Sequence, residues 1–375
     1  MTTLSTEDSA SLGEALQRML RDRYGFADAR RRDIATPADA LPRVWAWLVE
    51  LGLTGLVVPQ AQGGFSGGVA DLQRVQRELG RALVVAPWLG VALGAQVIRH
   101  AGTPTQQAAW LGGLADGSMT IALARDDTPA PGHASAPTLA LASDGGWRID
   151  GRKANVLHAA AVSHLLVSAR LPDGAQAWFR VEATQTGIER QPHRLVDQSW
   201  CADVVFKNAA AERLDAPLSG EGRAALSSQL RTVEIAAYCA EMAGGAQAAL
   251  DLTAQYLRTR QQFGQPLADY QALRHRIAEM YIAMEQLRSA EELALAATEF
   301  DDTVTRERLA AQAQLVGCES ATWIQRQAIQ LHGGMGMTEA FAVGHHYRRQ
   351  LVINALTGGE PAAVAVLARL APEAA

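Results

Sequence analysis

Two short segments in the last third of the chain combine residue types that can hold a ligand. Arg258-Thr-Arg-Gln-Gln-Phe-Gly-Gln-Pro266 sets a cation three residues before an aromatic ring, then adds glycine and proline. It offers a positive charge, a flat apolar face and a tight turn. Ile329-Gln-Leu-His-Gly-Gly-Met-Gly-Met337 sets an amide before a Gly-Gly-x-Gly run. Bare backbone there lets a bulky anionic ligand approach closely. Arg260, Phe263, Gln330, Gly333 and Gly334 are the candidate binding residues. The first segment also reads as a plain helix C-terminus, capped by Gly264 and stopped by Pro266. His332 sits between Gln330 and the glycines, with His345 and His346 nearby. No HxxxH pair and no acidic residue at ligand spacing accompanies them, so capping and packing are expected rather than a metal site.

Both segments end long Ala/Leu-rich helical patterns. The spacing predicts helices over 226–257, 268–298, 303–331 and 341–356, long enough and closely enough connected to form a four-helix bundle in a domain spanning 218–375. Gly244-Gly245 inside the first helix costs roughly 1 kcal/mol per glycine relative to Ala, which points to a second helix or a ligand approaching there. Residues 1–118 also read as helical, with Leu12, Leu16 and Leu20 in register and a Gly-rich loop around Gly63-Gly64. Between them, 119–217 changes texture to short alternating runs punctuated by Asp, Gly and Pro, the mark of a small, largely antiparallel β domain. Within it, Trp147-Arg-Ile-Asp-Gly-Arg-Lys153 is expected to form two strands joined at Asp150-Gly151. The expected fold class is α+β and multidomain.

The 375 residues carry 34 basic and 39 acidic side chains, a net charge of −5. A mildly acidic chain is a poor nonspecific nucleic-acid binder, although a local arginine cluster suffices for a small anion. Cys201, Cys239 and Cys318 are widely spaced with no CxxC or zinc pattern, and Cys239 and Cys318 fall in apolar helical stretches as core residues. A reducing, cytoplasmic setting is expected. The polar N-terminus shows no apolar signal region, and no run of about 18 apolar residues predicts a membrane span.

Taken together, these segments resemble the acyl-CoA dehydrogenase family over almost the whole chain. The resemblance rests on Leu51-Gly-Leu, Gly63-Gly64 and Glu78-Leu-Gly-Arg81, then Gly146-Trp-x-x-x-Gly-x-Lys-x-x-Val-Leu-His158. It continues with Phe263-Gly-x-Pro266, Gln327-Ala-Ile-Gln-Leu-His-Gly-Gly334 and Gly344-His345. It implies a helical N-terminal domain, a middle β domain and a C-terminal helical bundle, with FAD as cofactor and an acyl-CoA as substrate. It also implies that Arg260 and Phe263 reach a neighbouring subunit's FAD, and that Gln330, Gly333 and Gly334 cradle the adenine–pyrophosphate half.

Three departures from the family pattern bear on chemistry. The Thr-Glu-Pro and Gly-Ser-Asp signature is replaced by Ala122-Leu-Ala-Arg-Asp-Asp-Thr-Pro-Ala-Pro-Gly132. After the Asp-Gly-x-Lys turn the chain reads Asn155-Val156-Leu157, and Leu157 has no hydroxyl to donate. Where many members carry the carboxylate base that removes the substrate α-proton, this chain has Thr357. Some branches place that base on the first long helix of the C-terminal domain. Counting back from Phe263-Gly264 puts Glu234 there, with Arg231 as its alternative ion-pair partner at i−3. Glu241, seven residues on and about 10 Å along the same face, is the second candidate, with buried pairing near Gly244-Gly245 as its other role.

The pattern is most similar to the small-subunit type, that of pimeloyl-CoA dehydrogenase included. This implies a larger acyl-CoA dehydrogenase subunit as partner, a heterotetramer, and an electron-transfer flavoprotein as electron acceptor. The substrates implied, within fatty acid or steroid catabolism, are dicarboxylyl-, aromatic- or steroid-derived CoA thioesters over plain straight chains. A homotetramer using Glu234 and a non-catalytic scaffold subunit are the alternatives, and an oxygen-using member of the fold is a third.

Overall fold

The computed structural model describes residues 4–127, 136–143, 145–216 and 218–371. Helices α1 (Thr6–Arg23), α2 (Arg31–Ala35), α3 (Val44–Glu50), α4 (Val69–Arg81), α5 (Trp88–Ala101) and α6 (Pro104–Ala115) come first. Seven strands follow: β1 (Ile121–Ala124), β2 (Leu139–Ser143), β3 (Gly146–Leu157), β4 (His164–Arg170), β5 (Gln176–Glu182), β6 (Ile188–Arg194) and β7 (Trp200–Arg213). Then come α7 (Gly220–Thr259), the short strands β8 (Gln261–Gln262) and β9 (Gln265–Pro266), α8 (Gln271–Ala297), α9 (Thr303–His332), α10 (Ala342–Thr357) and α11 (Gly359–Arg369). Helices, then strands, then helices is the expected order. The chain forms two compact units that interleave in sequence. One takes residues up to 12, 32–72 and 85–230, and the other takes 13–31, 73–84 and 231 onward.

The first unit is built on the sheet β1-β4-β2-β3-β7-β5, with β6 on the far side of β7 and a β4–β5 pairing that closes the ring. Its pairings are antiparallel apart from β1 and β2 against β4. In β5 the buried residues alternate as Ala177, Phe179 and Val181, and these pack with Ile149, Leu165, Val204 and Phe206 in the sheet core. Asp150-Gly151 is not a hairpin turn. The strand β3 runs straight through it, and the register against β7 shifts between Ile149 and Gly151. Gly151 has φ 140°, and a Cβ there would lie 2.7 Å from Thr138 Cα, so its glycine serves a bulge rather than a turn. Helix α6 starts on a capping box in which Thr103 and Gln106 satisfy each other's backbone N–H, with Pro104 at the first turn.

The second unit packs the C-terminal part of α7 with α8, α9, α10 and α11, and adds the end of α4. Small residues let these helices come close. A Cβ on Gly244 would sit 2.0 Å from the Arg77 carbonyl oxygen, so the costly glycine in α7 marks where α4 crosses it. Gln73 on α4 donates to the carbonyls of Ala236 and Glu291, both at 3.1 Å, and so bridges α7 and α8. Helix α11 adds a fifth element to the expected four. Residues 342–369 are apolar and long enough to cross a membrane by composition. They break into two helices at Gly358 and Gly359, with φ 77° and 57°, and both pieces pack on α9.

Candidate functional site

The two Gly-containing segments meet at one end of the second unit. Helix α7 ends where Arg260 N–H donates to Tyr256 O at 2.8 Å, and the chain turns back through β8 and β9, with Leu267 N–H donating to Arg260 O at 2.9 Å. Tyr256 stacks on His332 at 4.5 Å between ring centroids, and Phe341 closes on both. This aromatic cluster ties the end of α7 to the end of α9. His332 is buried, its Nδ1–H donates to Ala328 O at 2.7 Å, and burial pushes its pKa down. It is therefore a neutral packing ring, and no cluster of three or more metal-ligating side chains occurs among the described residues.

Arg260 is exposed, and its guanidinium makes no ion pair among the described residues. Phe263 is 91% exposed and held at φ 53°, a conformation disfavoured for a side chain of its size. Gly333 takes φ 58°, and Cβ atoms built on Gly333 or Gly334 meet nothing within 4 Å, so a ligand can reach that backbone. Gln330 is exposed and lines a pocket of about 420 Å³ that Gly333 and Gly334 do not border. The structure thus places Arg260, Phe263, Gln330, Gly333 and Gly334 at one end of the unit, all exposed.

Glu234 and Glu241 lie elsewhere on α7, 5% and 4% exposed. Arg231 Nη1 donates to Glu234 Oε2 at 3.1 Å, and its Nη2 donates to the Thr357 carbonyl. Gln314 donates to that same carbonyl at 3.1 Å and to Gly359 O at 2.8 Å, and the Thr357 hydroxyl donates to Ile353 O at 2.9 Å. The two positions read from the sequence for a base, 234 and 357, are therefore neighbours, and Arg231 joins them. Glu241 accepts from Arg349 and from Gln76, each at 2.6 Å, a buried structural pairing beside Gly244. Arg231, Gln314, Gln76 and Arg349 carry no local sequence signal beyond the i−3 spacing of Arg231.

In the first unit, Leu157 is half-buried at the end of β3. Asn155 takes φ 51°, and its amide oxygen meets His193 Nε2 at 3.2 Å. Of the altered segment 122–132, residues 128–132 lie outside the described residues. Its start is braced by the buried Lys153, whose ammonium donates to Arg125 O at 2.7 Å and to Asp127 at 2.8 Å. Burial lowers the Lys153 pKa, and the Asp127 contact opposes that shift. A pocket of about 560 Å³ opens beside this segment, lined by Arg125, Arg170, Arg213 and Arg223 against Asp126, with Trp178, Leu214 and Leu226 as apolar wall. All three cysteines are buried, and burial raises the Cys201 and Cys318 thiols to about 12, so they are inert.

Family models for the C-terminal and N-terminal domains of acyl-CoA dehydrogenase match residues 220–370 and 6–118. Over 344 residues the chain is 30% identical to the acyl-CoA dehydrogenase IpdE2 of Mycobacterium tuberculosis, an alignment covering 92% of this chain and 91% of that protein. A solved structure of a Tcur3481–Tcur3483 steroid ACAD variant matches with TM-score 0.85 and 28% identity, over 97% of both chains. The ChsE4–ChsE5 complex from Mycobacterium tuberculosis shares the fold at TM-score 0.86 and 21% identity, over 100% of both chains. With those matches and the helix–strand–helix order, the chain belongs to the acyl-CoA dehydrogenase family of oxidoreductases acting on CH–CH bonds.

Proposed function

We propose that this chain is the smaller subunit of a heteromeric acyl-CoA dehydrogenase that carries out FAD-dependent α,β-dehydrogenation of a CoA thioester. The assembly is an α2β2 tetramer with FAD at subunit interfaces, and electrons leave for an electron-transfer flavoprotein. The observation that carries the reading is Phe263, 91% exposed on strained backbone beside Arg260, which makes no ion pair among the described residues. A strained, bare aromatic gains nothing within its own unit, so something outside must cover it.

The residues fit the nucleotide end of FAD and not its ring end. Arg260 supplies a free cation for a pyrophosphate, and the open backbone at Gly333 and Gly334 admits it closely. On the first unit, Leu157 offers no side-chain donor for a flavin ring and the Asn155 amide oxygen is engaged by His193. When bound, FAD would supply the acceptor for the hydride that leaves the substrate β-carbon. The base that removes the α-proton belongs to the partner subunit, because Glu234 is held by Arg231 and position 357 is a threonine. The arginine-lined pocket supplies the charge that an anionic CoA needs. The likeness to the Tcur3481–Tcur3483 steroid ACAD supports a heteromer and a bulky acyl group.

A homotetramer with Glu234 as base is the second reading, favoured by the meeting of positions 234 and 357 at Arg231. The test is the visible spectrum of the protein expressed alone and with a candidate large subunit. The heteromer reading expects a colourless chain that turns yellow only with its partner, at half a flavin per chain. A yellow homotetramer with one flavin per chain, bleached by an acyl-CoA, overturns it in favour of Glu234. An assembly without flavin leaves the scaffold role.

A further inference from the structure

Lys153 lies behind the wall of the arginine-lined pocket and not in it. It is 1% exposed on β3. Its ammonium donates to Arg125 O at 2.7 Å, to Asp127 Oδ1 at 2.8 Å and to Ser168 Oγ at 3.4 Å. Arg125, Asp126 and Ser168 all border the pocket. Asp127 also accepts from the Thr138 hydroxyl at 2.7 Å and from the Thr138 N–H at 3.2 Å. One carboxylate thus joins the end of β1 to the chain entering β2, and Lys153 holds it from β3.

A buried ammonium is a costly way to brace a loop, because taking a charge out of water carries a large desolvation penalty. A neutral donor would serve the Arg125 carbonyl as well. What a cation adds is charge. Asp126 and Asp127 set two adjacent carboxylates beside a pocket whose arginines, at 125, 170, 213 and 223, suit an anion. Asp215 already takes up part of that positive charge, 3.3 Å from Arg213. Burial raises the Asp127 carboxyl, but the bonds from Lys153 and Thr138 outweigh it and hold it below the usual carboxylate range. Asp127 is therefore ionised at neutral pH, and without Lys153 its charge would act on the pocket through protein, where screening is weak. We infer that Lys153 is the buried counter-ion that fits this pocket to an anionic ligand, by cancelling Asp127. It is a positioning residue, acting through that carboxylate and touching no ligand. The inference rests on the reading that the pocket receives the charged end of a CoA thioester.

The test measures coenzyme A binding to the purified assembly by calorimetry. Lys153→Met keeps the apolar stem, removes the charge and is expected to weaken coenzyme A about tenfold, the scale of one partly screened charge. Lys153→Met/Asp127→Asn removes both charges, keeps acceptors for Thr138 and should recover most of that affinity. A role in folding alone predicts the reverse, since the double variant has lost more native interactions than the single one. Asp127→Asn by itself leaves the lysine charge uncancelled and should tighten coenzyme A a few-fold, which decides the matter even where Lys153→Met fails to fold. If Lys153→Met binds like wild type, if the double variant is no better than the single, or if Asp127→Asn does not tighten binding, the inference is overturned and the dehydrogenase reading stands. If the wild-type assembly binds no coenzyme A, the CoA reading of the pocket falls, and the inference with it.

Discussion

Arg231 and Glu234 stand one turn apart on α7, with Nη1 of the arginine 3.1 Å from Glu234 Oε2 and Nη2 on the carbonyl of Thr357. One guanidinium thus ties α7 to the turn between α10 and α11. Glu234 is 6% exposed at its side chain and Arg231 37%, so the pair is shielded on the carboxylate side and partly screened on the other. A carboxylate held this way is a fixed acceptor.

Arg231→Ala leaves a buried carboxylate without this partner and removes one donor from Thr357 O. Breaking a fully buried pair costs about 3–5 kcal/mol, and the exposure of Arg231 discounts this to about 1–3 kcal/mol. Urea unfolding checks it. The double variant Arg231→Ala/Glu234→Gln should recover part of the loss, and strict additivity would show that the two side chains are not coupled.

Gly244 and Gly245 are adjacent and respond in opposite ways. Gly244→Ala drives a methyl into the Arg77 carbonyl, 2.0 Å away, and is expected to cost about 3 kcal/mol or more or to prevent folding. Gly245→Ala meets His346 Nδ1 at 3.4 Å, an ordinary contact, and should be within about 1 kcal/mol of wild type. Thermal melts of the two variants check the contrast.

Phe263→Ala should change the stability of the isolated chain by no more than about 0.5 kcal/mol, because the ring touches little of its own unit. In the flavin-loaded assembly the same change should weaken flavin retention by about tenfold, the scale of one lost aromatic contact. Dialysis followed by the flavin absorbance per chain reads it. Unchanged retention removes Phe263 from the cofactor site.

His345 and His346 are buried, and burial first, then the nearby Arg30, pushes their pKa values down to about 4 and about 3. Arg348 and Glu339 also face His345, and Arg81 adds to the positive field at His346. Both values lie below the unfolded value of about 6.5, so the unfolded chain binds protons first as pH falls. Their contribution is whole above about pH 6.5 and is lost on acidification, at roughly 2 kcal/mol for each histidine by pH 5. Urea midpoints at pH 7.5 and 5 should therefore differ, and His346→Gln should shrink the difference by about half. A midpoint gap unaltered by His346→Gln counts against this account.

The helices of the second unit were legible because apolar and small residues recur along them with helical spacing, as in Ala310, Ala313, Gly317, Ala321, Ile324 and Ala328 of α9. Gly244-Gly245 was legible as a close approach because glycine inside a helix is otherwise a loss. Asp150-Gly151 misled, since the same dipeptide suits a turn or a bulge and local sequence does not choose between them. Helix α11 was missed because Gly358-Gly359 reads as an end, while here the second glycine starts a new helix.

The sequence by itself determined the order of helices and strands and the ends of α7 and α9, near which Arg260, Phe263, Gln330, Gly333 and Gly334 lie, because those features depend on neighbours a few residues away. Only the tertiary structure decided that Glu234 shares an arginine with Thr357, 126 residues beyond Arg231, and that Glu241 is taken up by Gln76 and Arg349. Such partners are chosen by how alanine-rich and glycine-rich helix faces stack, and those faces look alike until they are packed.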